Sequence, residues 1–197
     1  MKKLESTLPN MILSLGLICV LSATLLGGMY MITKEPIAFQ MQQQQEQAIR
    51  DVAPQFDNDP EKDKVEVNED GETFIVYPAI YQGKLVGAAV EGASMNGFAG
   101  EIIVICGFDL DGTVRDYRVI QQAETPGLGT KMETWFRDPR GSRSVIGKNP
   151  ETFSFYVNKD PGGEVDGITA ATISSRAFLD ILRNAFDAYK KYRDTNQ

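Results

Sequence analysis

The stretch DGITAATISS, Asp166–Ser175, crowds hydroxyl side chains around one Asp-Gly turn, directly before an amphipathic run. Its four hydroxyl residues are Thr169, Thr172, Ser174 and Ser175. A helix N-cap accounts for one of them. The unpaired N–H groups and the positive dipole end of a helix also bind phosphate, and Ala170 and Ala171 leave space for a bulky group. The stretch therefore predicts either an ordinary helix cap or a site where a hydroxyl carries a phosphate.

A second stretch, AETPGLGTKM, combines a proline, which fixes φ, with two glycines, which permit positive φ. Its segment Glu124–Gly129 can therefore bend sharply and approach a flat ligand. Leu128, between the two glycines, is placed to face a ring. The alternative is an ordinary connection between a strand and a helix.

Composition limits the chemistry. The chain has 197 residues, a formal charge of −7 and no histidine. The acidic balance disfavours a nucleic-acid partner, and the lack of histidine removes the commonest general base and metal ligand. Cys19 lies in an apolar run and Cys106 in a strand-like run, so neither a disulfide nor an iron–sulfur ligand set is expected. Electron transfer would therefore need a non-protein cofactor.

The N-terminal part predicts a membrane anchor. No charged residue occurs from Ser6 to Thr33, and the 22 residues Met11–Ile32 are almost wholly apolar. As a helix they span about 33 Å, enough for a hydrocarbon core of about 30 Å. A cleaved signal peptide is the alternative, but its apolar region is shorter and ends in an A-x-A-like site. Lys2 and Lys3 precede the run, which places the N-terminus in the cytoplasm and the rest outside.

Three parts are predicted: a cytoplasmic stub and anchor (1–35), a juxtamembrane helix and linker (36–70), and a folded domain (71–197). Pro36 is expected to end the anchor helix. Residues 39–54 predict a polar helix with little buried face, and the charged residues 57–72 predict a mobile or edge segment.

The folded domain is predicted to be α+β. Aromatic and β-branched residues indicate strands over 73–80, 84–92 and 151–158, and a hairpin over 101–122 turning at Asp111-Gly112. A short helix is expected over 130–139. The last run places six apolar residues on one helical face: Phe178, Ile181, Leu182, Ala185, Phe186 and Tyr189. The fold class is one N-terminal transmembrane helix followed by one extracytoplasmic domain, with a mainly antiparallel twisted sheet covered by helices.

The two motifs together resemble the FMN-binding domain shared by the G subunit of the Rnf electron-transport complex and the C subunit of the sodium-translocating NADH:quinone reductase. The family pattern D-G-x-[ST]-G-A-T-x-[ST] is matched by DGITAATIS, with Ala170 where the family usually has glycine. The family's E-T-P-G-L-G stands unbroken from Glu124 to Gly129, and 97–120 is similar to the family's glycine-rich approach to the hairpin. Gln122 stands where the family often has histidine. The chain length favours the G subunit.

The resemblance implies covalent FMN. Thr172 falls on the position that carries FMN through a phosphoester, added by a flavin transferase with FAD as donor, which would make the chain a phosphoprotein. The other implied cofactor-binding residues are Glu124, Thr125, Gly127, Leu128, Asp166, Gly167, Thr169 and Ala171. Trp135 and Phe136 are candidates to flank the ring, although core packing explains them equally well. No catalytic or metal-ligating residue is expected.

The resemblance also implies a role and a place. The chain would be an electron-carrier subunit of a Rnf-type ion-translocating ferredoxin:NAD oxidoreductase, anchored in the bacterial inner membrane with its domain on the periplasmic side. Its partners would be the other membrane subunits, the flavin transferase and the lipid bilayer, with no nucleic acid. The alternatives are the C subunit of the sodium-translocating reductase, a membrane-anchored flavin-binding sensory module without electron transfer, and a structural anchor with an ordinary cap at Thr172.

Overall fold

The computed structural model describes residues 7–69 and 71–196. Within them the elements, in chain order, are α1 (Leu8–Val52), β1 (Val65–Glu69), β2 (Glu72–Tyr81), β3 (Lys84–Ser94), β4 (Ile102–Asp109), β5 (Val114–Gln121), a 3-10 turn (Gly129–Lys131), α2 (Met132–Trp135) and α3 (Thr172–Thr195). The chain divides into two compact units, Met1–Gln43 and Gln44–Gln197.

The described part of the first unit is nearly all α1, and its side chains are almost all exposed. Within the described residues, α1 is the one helix long and apolar enough to cross a membrane, and its apolar window is not buried at all. The predicted anchor therefore coincides with this helix. Cys19 on it is a free, exposed thiol. Lys2 and Lys3, on which the predicted orientation depends, lie outside the described residues.

α1 does not end at Pro36. The helix continues through the proline to Val52, so the predicted break is wrong. A proline inside a helix removes one N–H donor and crowds the preceding turn. The residues that follow, 40–47, are mostly glutamine, a strong helix former, and they favour continuation of the helix. The division of the chain at 35 and 70 stays a prediction.

The end of α1 belongs to the second unit and packs on one face of the sheet. Ala48, Ile49 and Val52 are buried there, in a cluster with Ala53, Tyr77, Ala79, Ala89 and Ile105. Gln45 adds a polar contact, since its side-chain amide donates to the Tyr77 hydroxyl at 2.8 Å. The expectation of little buried face over 39–54 is therefore wrong at its C-terminal end.

The sheet has the order β1-β2-β3-β4-β5, and all four pairings are antiparallel. The strands predicted over 73–80 and 84–92 are confirmed as β2 and β3, and the predicted hairpin as β4 and β5. Gly112 in its turn has φ +87, which glycine adopts without strain. The end of the charged segment forms the edge strand β1, one of the two expectations for it.

α3 covers the other face of the sheet, and all six residues of its predicted apolar face are buried. Phe178 stacks on Phe136 with ring centroids 4.5 Å apart and meets the Tyr117 ring edge-on at 4.8 Å. Phe108 of β4 stacks on Tyr189 at 5.5 Å. These aromatic contacts join the sheet, α3 and Phe136, the residue that follows α2, in one core. The predicted α+β class is confirmed.

Residues 151–158 form turns rather than the predicted strand. Only Val157 makes a bridge, an isolated parallel one with Val165. Phe155 and Val157 are nevertheless buried, and the Phe155 carbonyl accepts a hydrogen bond from Arg183 at 2.6 Å. The apolar alternation of this segment therefore reports burial in the core, without a neighbouring strand to pair with.

Candidate functional site

A cavity of about 340 Å³ lies where the loop after β5 meets the start of α3. Its lining comprises Phe98, Glu124, Thr125, Leu128, Gly129, Ala170, Ala171, Thr172, Ile173 and Ser174. Two stretches that are far apart along the chain, ETPGLG and DGITAATISS, thus form opposite parts of one site.

The ETPGLG loop is built around a tight turn. The Leu128 N–H donates to the Thr125 carbonyl at 3.1 Å, and Gly127 has φ +76. A proline followed by a residue with positive φ defines a type II turn. The Gly127 N–H donates to the Thr130 hydroxyl at 3.0 Å, which closes the turn from the other side. Leu128 is thereby left 37% exposed at the cavity wall.

The first turn of α3 has free donors. The chain enters it through Ala170, whose φ is +64, and through Ala171, which offers no side-chain cap. Among the residues that the structure describes, no acceptor is bonded to the backbone N–H groups of Thr172, Ile173 and Ser174. An ordinary hydroxyl cap is therefore not formed here. Three unpaired N–H groups at the start of a 24-residue helix form a favourable binding site for an anion.

The four hydroxyl residues differ in what their oxygens contact. The Ser175 hydroxyl is buried, donates to the Ala171 carbonyl at 2.9 Å and accepts from the Ile168 N–H at 2.9 Å. The Ser174 hydroxyl is also buried and donates to a carboxylate oxygen of Glu124 at 2.7 Å. Both oxygens are therefore already used in folding.

Thr169 and Thr172 have no side-chain hydrogen bond within the described part of the chain. Thr169 is exposed and lies outside the cavity lining, whereas Thr172 is half-buried and belongs to it. Of the four hydroxyl groups, Thr172 is thus the one that is both in the cavity and unbonded among the described residues.

Glu124 is the charged residue of the cavity, and it is only 4% exposed. Its carboxylate accepts from the Ser174 hydroxyl and, at 3.2 Å, from the Ala99 N–H. Its own N–H donates to the Gln122 side-chain oxygen at 2.7 Å. Gln122, which stands where histidine is frequent in the family, therefore supports the loop as a neutral acceptor.

Asp166, Gly167, Thr169 and Gly127 are not among the lining residues. The Asp166 carboxylate accepts from the Ser142 N–H at 2.9 Å and from the Asn158 amide at 2.7 Å. Asp166 therefore holds the loop that leads into α3 rather than a wall of the cavity. Of the predicted site residues, the structure brings together in the cavity Glu124, Thr125, Leu128, Ala171 and Thr172.

Trp135 and Phe136 serve the core. The Trp135 indole N–H donates to the Asp166 carbonyl at 2.7 Å, and the Arg143 guanidinium lies over its ring at 4.1 Å. Phe136 is buried against Phe178. Neither residue lines the cavity, so core packing is the explanation that the structure favours.

Two lining residues were not singled out by sequence, Phe98 and Ile173. Phe98 is 67% exposed, and Ile173 is also exposed. Each has a signal in the sequence. Phe98 is a large apolar residue directly after Gly97 in a glycine-rich loop, and Ile173 is an apolar residue within the hydroxyl cluster, away from the buried helix face. Such exposed apolar groups around a cavity suit the face of a flat ligand.

An ion pair fastens the outer side of the same helix start. The Arg176 guanidinium donates to the Asp160 carboxylate at 2.5 Å. This hydrogen bond holds the pKa of the Asp160 carboxyl below its usual value. This pair links the turn at 157–163 to the start of α3.

Comparisons with known proteins agree with this geometry. Residues 97–187 match the family model described as FMN-binding domain, and residues 13–52 match the RnfG N-terminal region. Fold and site together define a membrane-anchored, FMN-binding protein with a single candidate span among the described residues.

The curated relatives narrow the class. The chain is 34% identical over 202 residues to the G subunit of the ion-translocating oxidoreductase complex of Aliivibrio fischeri, covering 98% of this chain and 95% of the relative. It is 32% identical to the protein of the same name from Stutzerimonas stutzeri (94% and 83% covered) and 32% identical to that of Vibrio cholerae (92% and 90%). The chain belongs to the family of G subunits of ion-translocating oxidoreductase complexes. The resemblance drawn from the motifs is confirmed, in favour of the G subunit.

The cavity residues fit FMN. Three unpaired N–H groups and one unbonded hydroxyl at the helix start, among the described residues, suit its phosphate. Phe98, Leu128 and Ile173 offer apolar surface to its ring system. A volume of about 340 Å³ lies within the range of small-molecule sites.

Proposed function

We propose that this chain carries FMN covalently on Thr172 and serves as the electron-carrying subunit of a Rnf-type complex. The Thr172 hydroxyl carries the proposal, since it is the hydroxyl of its cluster that lines the cavity and is unbonded within the described residues. A phosphate joined to it lies at the first residue of α3, beside N–H groups that need an acceptor.

The remaining residues bind and shield the cofactor. Leu128 and Thr125 present one wall of the cavity, and Gly127 sets the turn that carries them. Ala171 leaves space at the helix start, while Asp166, Gly167 and Thr169 shape the loop before it. When bound, FMN supplies reversible uptake and release of electrons.

Attachment needs a separate transferase and FAD as donor. The Thr172 oxygen forms a bond to the FMN phosphorus of FAD, the pyrophosphate bond breaks, and AMP leaves with the electron pair and takes up a proton. The bond changes no oxidation state. One FMN less one water is added to the mass of the chain.

The proposal extends to location and partners. The folded domain lies on the periplasmic side, where free FMN is scarce and a covalent bond prevents loss of the cofactor. The partners are the other membrane subunits of the complex, which move electrons between ferredoxin and NAD while an ion crosses the membrane. α1 keeps the flavin domain at the bilayer beside them.

Intact-mass measurement of the full chain, purified from cells that contain the transferase, tests the attachment. The wild type is expected to exceed its amino-acid mass by one FMN less one water, and Thr172→Ala is expected to lack this increment. Thr169→Ala is the matched control, because it removes the same group from an exposed threonine three positions earlier. An increment that persists in Thr172→Ala contradicts the assignment.

Electron transfer is tested separately from attachment. In the assembled complex, stopped-flow absorbance should show this flavin being reduced and reoxidised during turnover. A flavin that stays oxidised throughout turnover contradicts the carrier role and favours the sensory alternative.

A further inference from the structure

The buried carboxylate of Glu124 connects three segments that surround the cavity. One oxygen accepts from the Ala99 N–H, next to Phe98, and the other accepts from the Ser174 hydroxyl in the first turn of α3. Glu124 itself begins the ETPGLG loop. The residue therefore joins the loop that carries Phe98 to the helix start that carries Thr172.

Two glycines make room for this carboxylate. A Cβ at Gly97 would lie 2.8 Å from one oxygen of Glu124, and a Cβ at Gly129 would lie 2.5 Å from the other. Distances below 3.0 Å between such atoms require something to shift. The backbone therefore lies close to the carboxylate on both sides, and a side chain at either glycine would overlap a carboxylate oxygen.

The carboxylate acts through hydrogen bonds. Among the residues that the structure describes, no Lys or Arg lies within ion-pair distance of Glu124. A buried carboxylate without a cation is stable only when its oxygens accept hydrogen bonds, and here each oxygen accepts one.

We propose that Glu124 is a positioning residue, which fastens the Phe98 loop to the start of α3 so that a flavin ring tethered at Thr172 is enclosed in the cavity that Phe98 and Leu128 line. The inference rests on the proposed function. The phenyl ring of Phe98 is 67% exposed, and the next residue, Ala99, is hydrogen-bonded to the buried Glu124 carboxylate. A bound flavin ring covers this apolar surface, which explains why an exposed phenyl ring is held at the cavity.

The test uses the full-length flavinylated chain in detergent and quenching of its flavin fluorescence by acrylamide, which is neutral. Glu124→Ala removes both hydrogen bonds and the charge. Glu124→Gln removes only the charge, because its amide oxygen can accept from Ala99 while its NH₂ donates to the Ser174 oxygen. One net hydrogen bond corresponds to a factor of about five. Because Glu124→Ala loses two hydrogen bonds, quenching is expected to rise more than about fivefold in that variant and to stay near the wild-type value in Glu124→Gln.

Two further variants keep the result interpretable. Ser174→Ala cuts one of the two contacts, and a smaller rise in quenching is expected from it even if Glu124→Ala fails to fold. Tyr189→Phe removes a hydrogen bond to the Asp109 carbonyl, 3.1 Å long, at residues outside the cavity lining. It is expected to leave quenching unchanged, which separates the local effect from general loosening of the domain.

The outcomes decide between the inference and the function beneath it. Unchanged quenching in Ser174→Ala and in every folded Glu124 variant overturns the inference, and so does an equal rise in Glu124→Gln and Glu124→Ala. Both results leave covalent FMN in place if the mass increment is normal. If Glu124→Ala folds but lacks FMN while Glu124→Gln carries it, the result supports the positioning role of Glu124, because Thr172 is unchanged in both variants. A wild type without the increment removes the proposed function and the inference together.

Discussion

Replacing Ala170 by glycine should stabilise the folded domain. Ala170 is one of two non-glycine residues with positive φ among those described, at φ +64. It directly precedes Ala171 and the start of α3, in the position where the related family usually has glycine. An L-residue is strained in this conformation because its Cβ crowds the following carbonyl.

The expected gain follows from two opposing effects. A left-handed conformation costs a non-glycine residue about 1–2 kcal/mol, while glycine gives the unfolded chain extra freedom worth about 0.4–1 kcal/mol. The difference is a net stabilisation of about 0.5–1 kcal/mol. For a domain of this size we expect Tm to rise by about 1–4 °C.

Thermal unfolding of the full chain in detergent, followed by circular dichroism, measures the change. Ala171→Gly is the matched negative control, because its φ is −136 and no strain is relieved; its Tm should fall or stay. Gln82→Gly, at φ +51 in the turn between β2 and β3, should raise Tm like Ala170→Gly. The mass increment of FMN should persist in Ala170→Gly, because the loop already has the conformation that glycine favours.

One result would refute this reasoning. If Ala170→Gly lowers Tm or leaves it unchanged while Gln82→Gly raises it, the backbone before α3 is not held in the left-handed conformation. The geometry assigned to the helix start would then be wrong, although the attachment to Thr172 would remain testable by mass.

Other substitutions probe the loops around the cavity. Gly129→Ala should lower stability by about 1–3 kcal/mol, because its Cβ would overlap a buried carboxylate oxygen; Gly127→Ala, with open space around it but φ +76, should lower it by only about 0.5–1 kcal/mol, the left-handed strain less the entropy that alanine removes from the unfolded chain. Urea midpoints of the two variants check this order, and equal or reversed losses would contradict it. Asp160→Asn should reduce the loss of stability in acid. The Arg176 guanidinium lowers the folded-state pKa of Asp160 below its unfolded value, so this contribution is present above about pH 4 and is lost as the pH falls further. The urea midpoint of the variant should therefore change less than that of the wild type between about pH 6 and pH 3, and an equal change would refute the assignment.

Much of the sheet was predictable because its signals are local. The hairpin of β4 and β5 follows from β-branched runs on either side of Asp111-Gly112, and a short turn between adjacent antiparallel strands specifies their pairing. The segment 151–158 has a similar apolar pattern and forms no strand. The pattern reports that Phe155 and Val157 are buried, but pairing depends on a neighbour that a local pattern does not specify.

α1 shows two local signals in conflict. Pro36 disfavours a helix at one position, whereas the glutamine-rich residues after it favour a helix at many. The helix continues, and its end then buries Ile49 and Val52 on the sheet. Because that burial comes from partners distant in sequence, the weak apolar pattern of the segment itself could not predict it.

The sequence motifs predicted where the candidate site lies but not which residues line it. Glu124 and Thr172 were expected from the resemblance, and both line the cavity. Asp166 belongs to the same motif as Thr172, yet its carboxylate is used by Ser142 and Asn158. Phe98, which precedes the motifs, reaches the cavity because β4 and β5 bring its loop beside theirs.

The amino-acid sequence by itself determined the apolar anchor, the hairpins of the sheet and the amphipathic α3, because each depends on residue types and spacings within one segment. Only the tertiary structure decided which of four neighbouring hydroxyl groups is both unbonded among the described residues and in the cavity. Ser174 and Ser175 are bonded to Glu124, to the Ile168 N–H and to the Ala171 carbonyl, whereas Thr172 meets no such partner among the described residues. Hydrogen-bond partners are assigned when distant segments pack, and no local pattern of hydroxyl residues contains that information.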